Sequence, residues 1–136
     1  MYTHAYTFYA HTGQNILRVR NPNSTYPGSQ YEGIVEVFHN GEWGTICNRN
    51  WNYHTAFVAC RTAGFNSAVR AVLDPTYFGG GVGQVQLDNV QCTGNEATLW
   101  DCSRSSWLDV DASCQNHVRD AAVICSDGKT ENNTFQ

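Results

Sequence analysis

The chain has 136 residues, a formal net charge of −4, only 15% charged residues and six cysteines. That length suits one domain with tails, large enough to bury roughly two-thirds of its unfolded surface. The acidic balance excludes the basic stripe on which nucleic-acid affinity rests. No run approaches the ~18 apolar residues of a membrane span, so neither a nucleic-acid partner nor membrane insertion by this chain is expected.

In chain order, residues 1–13 (MYTHAYTFYAHTG) alternate aromatic and small β-forming residues with period 2, the pattern of an edge strand or of a strand offered to a neighbouring molecule. Residues 1–15 hold no basic segment followed by an apolar one, so a mature segment or excised fragment is expected. Ile16, Leu17 and Val19 read as a short strand, followed by a turn-rich run through Pro22 and Pro27. Residues 33–39 form the next predicted strand. Asn40-Gly41 is a type I′ hairpin signal, and residues 42–47 return.

Thr55 is placed as the cap of a helix over residues 56–63, with Gly64 as its C′ stop. The glycine run at 79–83 lacks the Lys-Ser/Thr of a phosphate loop and has no G-x-G-x-x-G pattern. A strand is predicted around Val85 and Leu87, a helical turn over 96–100 and a closing strand over 121–125. Arg70 falls in a predicted loop. The sum is a small α+β domain with β predominant.

The cysteines at 47, 60, 92, 102, 114 and 125 contain no CxxC pair, which removes the usual zinc and thioredoxin readings. An even, widely spaced set reads as three disulfides formed in an oxidising extracellular compartment, and spacing leaves about fifteen pairings open. Sequons stand at Asn23 and Asn132. No nucleophile motif is present, and oxidised cysteines leave no thiolate, so no enzyme is expected. The most triad-like grouping is His117 and Asp120, which falls in a predicted loop.

Residues 33–47 (GIVEVFHNGEWGTIC), 59–65 (ACRTAGF), 87–96 (LDNVQCTGNE), 99–102 (LWDC) and 120–125 (DAAVIC) together resemble the scavenger receptor cysteine-rich (SRCR) domain, group A. The resemblance spans about residues 15–126, leaving 1–14 as an N-terminal extension and 127–136 as a tail. It implies a curved, mainly antiparallel sheet cradling one α-helix, with long loops and Trp43 and Trp100 in or near the core. It also implies the pairings Cys47–Cys114, Cys60–Cys125 and Cys92–Cys102. In the loop-entropy picture the first two stabilise by roughly 4 kcal/mol each and the third by roughly 3 kcal/mol.

The resemblance implies a secreted or ectodomain binding module, sometimes attached to proteases or oxidases. Its ligand is then an extracellular protein, a glycan or a polyanion. The alternatives are a structural subunit that self-associates through residues 1–13, or an accessory domain of a larger receptor or protease. Many such domains hold Ca²⁺ through tandem acids after the first cysteine together with a C-x-G-x-E glutamate. Here Asn48 and Arg49 replace the acids while Glu96 remains, with Asn52, His54 and Thr55 at further ligand positions. No cofactor is therefore expected, Ca²⁺ being disfavoured, and an Arg49–Glu96 ion pair is expected in the metal's place. Arg18, Arg20, Arg49 and Arg70 are the candidate ligand-binding cations, with Arg18 and Arg20 on one strand face. Asp109 and Asp111 read as solvated carboxylates rather than a second cation site.

Overall fold

A computed structural model describes residues 16–22, 31–74 and 76–127. The period-2 segment at 1–13, the tail from 128 and both sequon asparagines lie outside the described residues. Among the described residues the strands are β1 (Ile16–Arg20), β2 (Glu32–His39), β3 (Glu42–Ile46), β4 (Ser67–Val72), β5 (Val85–Leu87) and β6 (Ala122–Ser126), with one α-helix, α1 (Tyr53–Thr62). Short 3₁₀ turns lie at Leu99–Asp101 and Ala112–His117. The sheet runs β4-β6-β2-β3-β5, with β1 also on β2. Its pairs are antiparallel except β3–β5. The result is the curled, antiparallel-rich sheet with one main helix that the motif blocks imply.

β2 organises the sheet because its alternation serves two faces. Val35 and Val37 are fully buried and join the main core with Ile46, Trp51, Leu87 and Leu99. Ile34, on the opposite face, packs with Val72, Phe78 and Ala122. The β2–β3 hairpin closes through Asn40 (φ 51°) and Gly41 (φ 81°), the two positive φ values that a type I′ turn requires.

The helix starts earlier than predicted. Asn52, not Thr55, is its N-cap and accepts the Thr55 backbone N–H at 3.1 Å. Thr55 lies inside the first turn, fully buried, and its hydroxyl accepts the Cys92 backbone N–H at 3.1 Å. The helix ends at Ala63, and Gly64 follows at φ +104°, the left-handed stop that favours glycine. Thr55, Ala56, Val58, Ala59 and Cys60 form its buried side.

Three disulfides pin the layers: Cys47–Cys114, Cys60–Cys125 and Cys92–Cys102. The second ties α1 to β6. Trp51 is the deeply buried indole, 3% exposed, and its N–H donates to the Ala122 carbonyl at 3.2 Å. Trp100 is half-buried against the main core, and half-buried Trp43 meets Phe38 edge-on. Arg70 lies in β4 rather than in a loop. The SAVRAV run carries little alternation, and the register with β6 shifts between Ala68 and Arg70, so the strand has no clean period to read.

Candidate functional site

The residues after Cys47 decide whether a cation corner exists. Arg49 does not reach Glu96; it forks onto Asp88, with Nε at 3.0 and 3.2 Å and Nη2 at 2.8 Å from the carboxylate oxygens. This corrects the expected Arg49–Glu96 pair, and the reason is where each carboxylate sits. Asp88, at the end of β5, is 1% exposed and needs a countercharge. Glu96 is already satisfied by the backbone N–H groups of Thr93 (2.9 Å) and Gly94 (3.0 Å).

Burial pushes the Asp88 carboxyl up, but the Arg49 guanidinium and the Asp111 backbone N–H (2.9 Å) outweigh it and hold it below the usual carboxylate range. Glu96 is held low chiefly by the Thr93 N–H. Asn48 is committed as well: its amide donates to the Leu73 carbonyl and its oxygen accepts from Arg119, each at 3.1 Å. A hard divalent cation needs several free oxygens and negative charge. Asn48, Arg49 and Glu96 offer a spent amide, a cation and a spent carboxylate, so these residues do not fit the calcium that the fold family implies.

The other candidate cations separate into two kinds. Arg18 and Arg20 do share a face of β1, as predicted, but both converge on Glu36 of β2. Arg18 Nε lies 2.7 Å from one oxygen, and Arg20 Nη2 lies 2.7 Å from the other. Glu36 is fully buried, so the two guanidiniums clasp one carboxylate, leaving a single net positive charge in place of a solvated basic stripe. Arg18 also lies over the Trp43 ring at 3.9 Å. Arg70 is exposed and lies 5.1 Å from the Tyr77 ring centre; among the described residues no carboxylate pairs with it. Val69, Leu73 and Tyr77 are also exposed on or just after β4, and Tyr53 donates its hydroxyl to the Ala68 carbonyl of that strand at 3.0 Å, a set that sequence reading missed together with β4 itself.

The His117–Asp120 grouping is real but structural. His117 Nδ1 lies 2.9 Å from Asp120, and Nε2 lies 2.8 Å from the Gly83 carbonyl, so both ring nitrogens face acceptors. Asp120 is buried and also accepts the Gly81 backbone N–H at 2.7 Å. The glycine run therefore wraps an internal carboxylate, which repels the phosphate that a glycine loop would otherwise suggest. A Cβ at position 81 would stand 2.4 Å from Thr45 Cγ2, which is why glycine is required there. Asp111 caps the 112–117 turn, and its carboxyl is held low first by the Ser113 hydroxyl; Asp109 is exposed.

A sheet of this order, one helix across it and these three disulfides place the chain in a known class, and the scavenger receptor cysteine-rich domain model matches residues 26–126. The chain belongs to the SRCR family, a non-catalytic family of extracellular binding and accessory modules. Galectin-3-binding protein of Pongo abelii is 43% identical over 108 residues, covering 79% of this chain and 18% of that protein. Human lysyl oxidase homolog 2 is 43% identical over 113 residues, covering 83% of this chain and 14% of that protein. The chain thus spans under a fifth of these curated relatives. Among solved structures, the third SRCR domain of murine neurotrypsin superposes with a TM-score of 0.66 at 41% identity, over 83% of this chain and 96% of that one. The dimeric form of the SRCR domain of mouse MARCO gives 0.61 at 45% identity, over 70% of this chain and 86% of that one. Among the described residues, no helix is long and apolar enough to cross a membrane.

Proposed function

We propose that the chain is a non-catalytic, calcium-independent extracellular module that binds a protein partner through the β4 surface. The observation that carries this reading is the composition of that edge. Val69 is 58% exposed, Leu73 50% and Tyr77 49%, with Arg70 stacked on Tyr77 and Tyr53 alongside. Aromatic and arginine side chains dominate binding energy at protein interfaces. The shift in register between Ala68 and Arg70 supports the same view, since bulges at sheet edges re-aim side chains. A polyanion is less favoured than a protein, because Arg49 is committed to Asp88 and Arg18 and Arg20 share Glu36, which leaves one net positive charge on β1 rather than an open basic stripe.

The test is binding of the full chain to purified extracellular proteins, with galectin-3 included because a relative's name gives it as a ligand, in calcium and in EDTA. Binding unchanged by EDTA and weakened at least tenfold by Arg70→Glu with Leu73→Ser is expected. Loss in EDTA overturns calcium independence, and binding indifferent to the double substitution overturns the β4 assignment.

A second reading has specific support. A relative crystallised in a dimeric form favours self-association, here through residues 1–13. Sedimentation of the intact chain against one lacking 1–13 tests it; two unchanged monomers remove it. The short coverage of the relatives supports an accessory domain within a longer protein, which does not alter the binding test.

A further inference from the structure

At the β5 end of the sheet, opposite the β4 edge, two open pockets of about 400 and about 160 Å³ share Gln84 and Leu108 as their common wall. Together they form a groove in the size range of small-molecule sites. The functions argued above use none of it.

The lining is distinctive in its chemistry. Asn40, Gln84, Gln86, Gln115 and Asn116 supply five carboxamides, and neither arginine nor lysine lines either pocket. Glu42 is the single carboxylate in the wall. The groove therefore offers an anion no partner charge, while a wholly apolar ligand would strand the amides. One of those amides already lacks a partner. Gln86 is 2% exposed, and among the described residues its Oε1 accepts no hydrogen bond. Its Nε2 makes only a long contact to the Glu42 carbonyl, 3.4 Å. That oxygen is closed off from solvent, so the carboxamides within reach of a ligand are the exposed ones of Asn40, Gln84, Gln115 and Asn116.

The apolar part is equally specific. Leu108 stands on the ridge between the pockets, 51% exposed, in the left-handed region at φ +66°. Few leucines adopt that conformation, which a glycine would enter freely. The neighbouring His39 ring lies flat on Trp107, with centroids 3.9 Å apart and planes within 5°.

Amides that donate and accept, beside apolar and aromatic surface with little charge, match one ligand class: a polyhydroxylated molecule with alternating O–H and C–H faces. We propose that this groove is a subsite for a neutral oligosaccharide, with Leu108 against a sugar C–H face and the exposed carboxamides of Gln84, Gln115 and Asn116 exchanging hydrogen bonds with sugar hydroxyls. The site lies at the far end of the sheet from the protein-contact edge, so it stands or falls independently of that reading.

The experiment titrates the full, disulfide-intact, ¹⁵N-labelled chain with lactose, mannotriose and chitobiose, and in parallel with a heparin-derived hexasaccharide as the anionic counterpart. At least one neutral sugar is expected to bind with a dissociation constant on the order of 1 mM. It should shift the Leu108 backbone amide and the Gln84 and Gln115 side-chain amides. Leu108→Gly, which the backbone accommodates, and Gln115→Ala, at an exposed position, should each weaken binding by about fivefold or more while leaving the rest of the spectrum in place. Arg70→Glu should bind sugar as the parent does. The proposal is overturned if no neutral sugar moves these amides, or if only the heparin fragment does. It is equally overturned if Leu108→Gly and Gln115→Ala both bind like the parent.

Discussion

Removing the two arginines of β1 together should cost more than removing them one at a time. Glu36 keeps only 1% of its side chain exposed, and its negative charge is met by Arg18 at 2.7 Å and Arg20 at 2.7 and 2.9 Å. Arg20 holds the carboxylate with two nitrogens and is 30% exposed, and contact with Glu36 raises its pKa. Arg20→Ala should therefore cost about 2 kcal/mol, the scale of charge-assisted bonds. Arg18 makes one such bond and is 41% exposed, so screening reduces Arg18→Ala to about 1 kcal/mol.

Either single variant leaves Glu36 one partner. The double variant leaves a buried carboxylate with none, which costs about 4–5 kcal/mol. The coupling, the double minus the sum of the singles, is then about 1–2 kcal/mol. Equilibrium urea unfolding of the oxidised protein measures all three variants. Adding Glu36→Leu to the double variant should recover most of the loss, since it removes the uncompensated charge. Strict additivity, or no recovery with leucine at 36, would falsify the clasp and return the arginines to an ordinary solvated face.

Other outcomes follow from the same geometry. Gly81→Ala should destabilise by about 1–3 kcal/mol through the contact with Thr45 Cγ2, and Thr45→Ser in the same chain should recover part of it in thermal melts. Asn52→Ala should cost about 1 kcal/mol of chemical stability as the helix loses its cap, whereas loss of the same size from an exposed site such as Asn95 would contradict the cap assignment. Asp74, Asp88, Glu96 and Asp111 all ionise below their ordinary range in the folded chain. Their stabilisation is complete above the unfolded carboxyl value near pH ~4 and is lost as pH falls through the folded values, so the urea midpoint should drop on acidification from pH 5 to 2. A midpoint that rises on acidification would contradict that sign.

The hairpin, the helix stop and the closing strand were legible because each carries its own local chemistry: Asn40-Gly41, Gly64 and the run Ala122–Ser126. β4 was not, because a strand of alanine, serine and valine with a shifted register lacks both the period and the β-branched density that mark a strand. The helix start was misread for a related reason: Asn52 and Thr55 are both capping types, and only burial distinguishes them. Trp51 escaped notice because indoles at 43, 51, 100 and 107 look alike in sequence, while it is the one beside α1 whose N–H donates to the Ala122 carbonyl inside the core.

The arginine at 49 shows how far a family pattern can carry a charge prediction. Sequence position alone made Glu96 the natural partner, because that glutamate stands where a metal would be shared. What chooses the partner is the desolvation each carboxylate suffers and what already offsets it. Glu96 has its compensation within its own turn, from Thr93 and Gly94. Asp88, drawn into the core by the parallel β3–β5 pair and crossed by the Cys47–Cys114 link, has the backbone N–H groups of Asp111 and Asn89 but, among the described residues, no cation other than Arg49. The substitution of an acid by arginine after Cys47 therefore does more than remove a ligand: it redirects a positive charge to the buried end of β5. The two surfaces proposed for binding are then at the two ends of the sheet, β4 with an arginine that no carboxylate pairs among the described residues and the amide-lined groove beside β5.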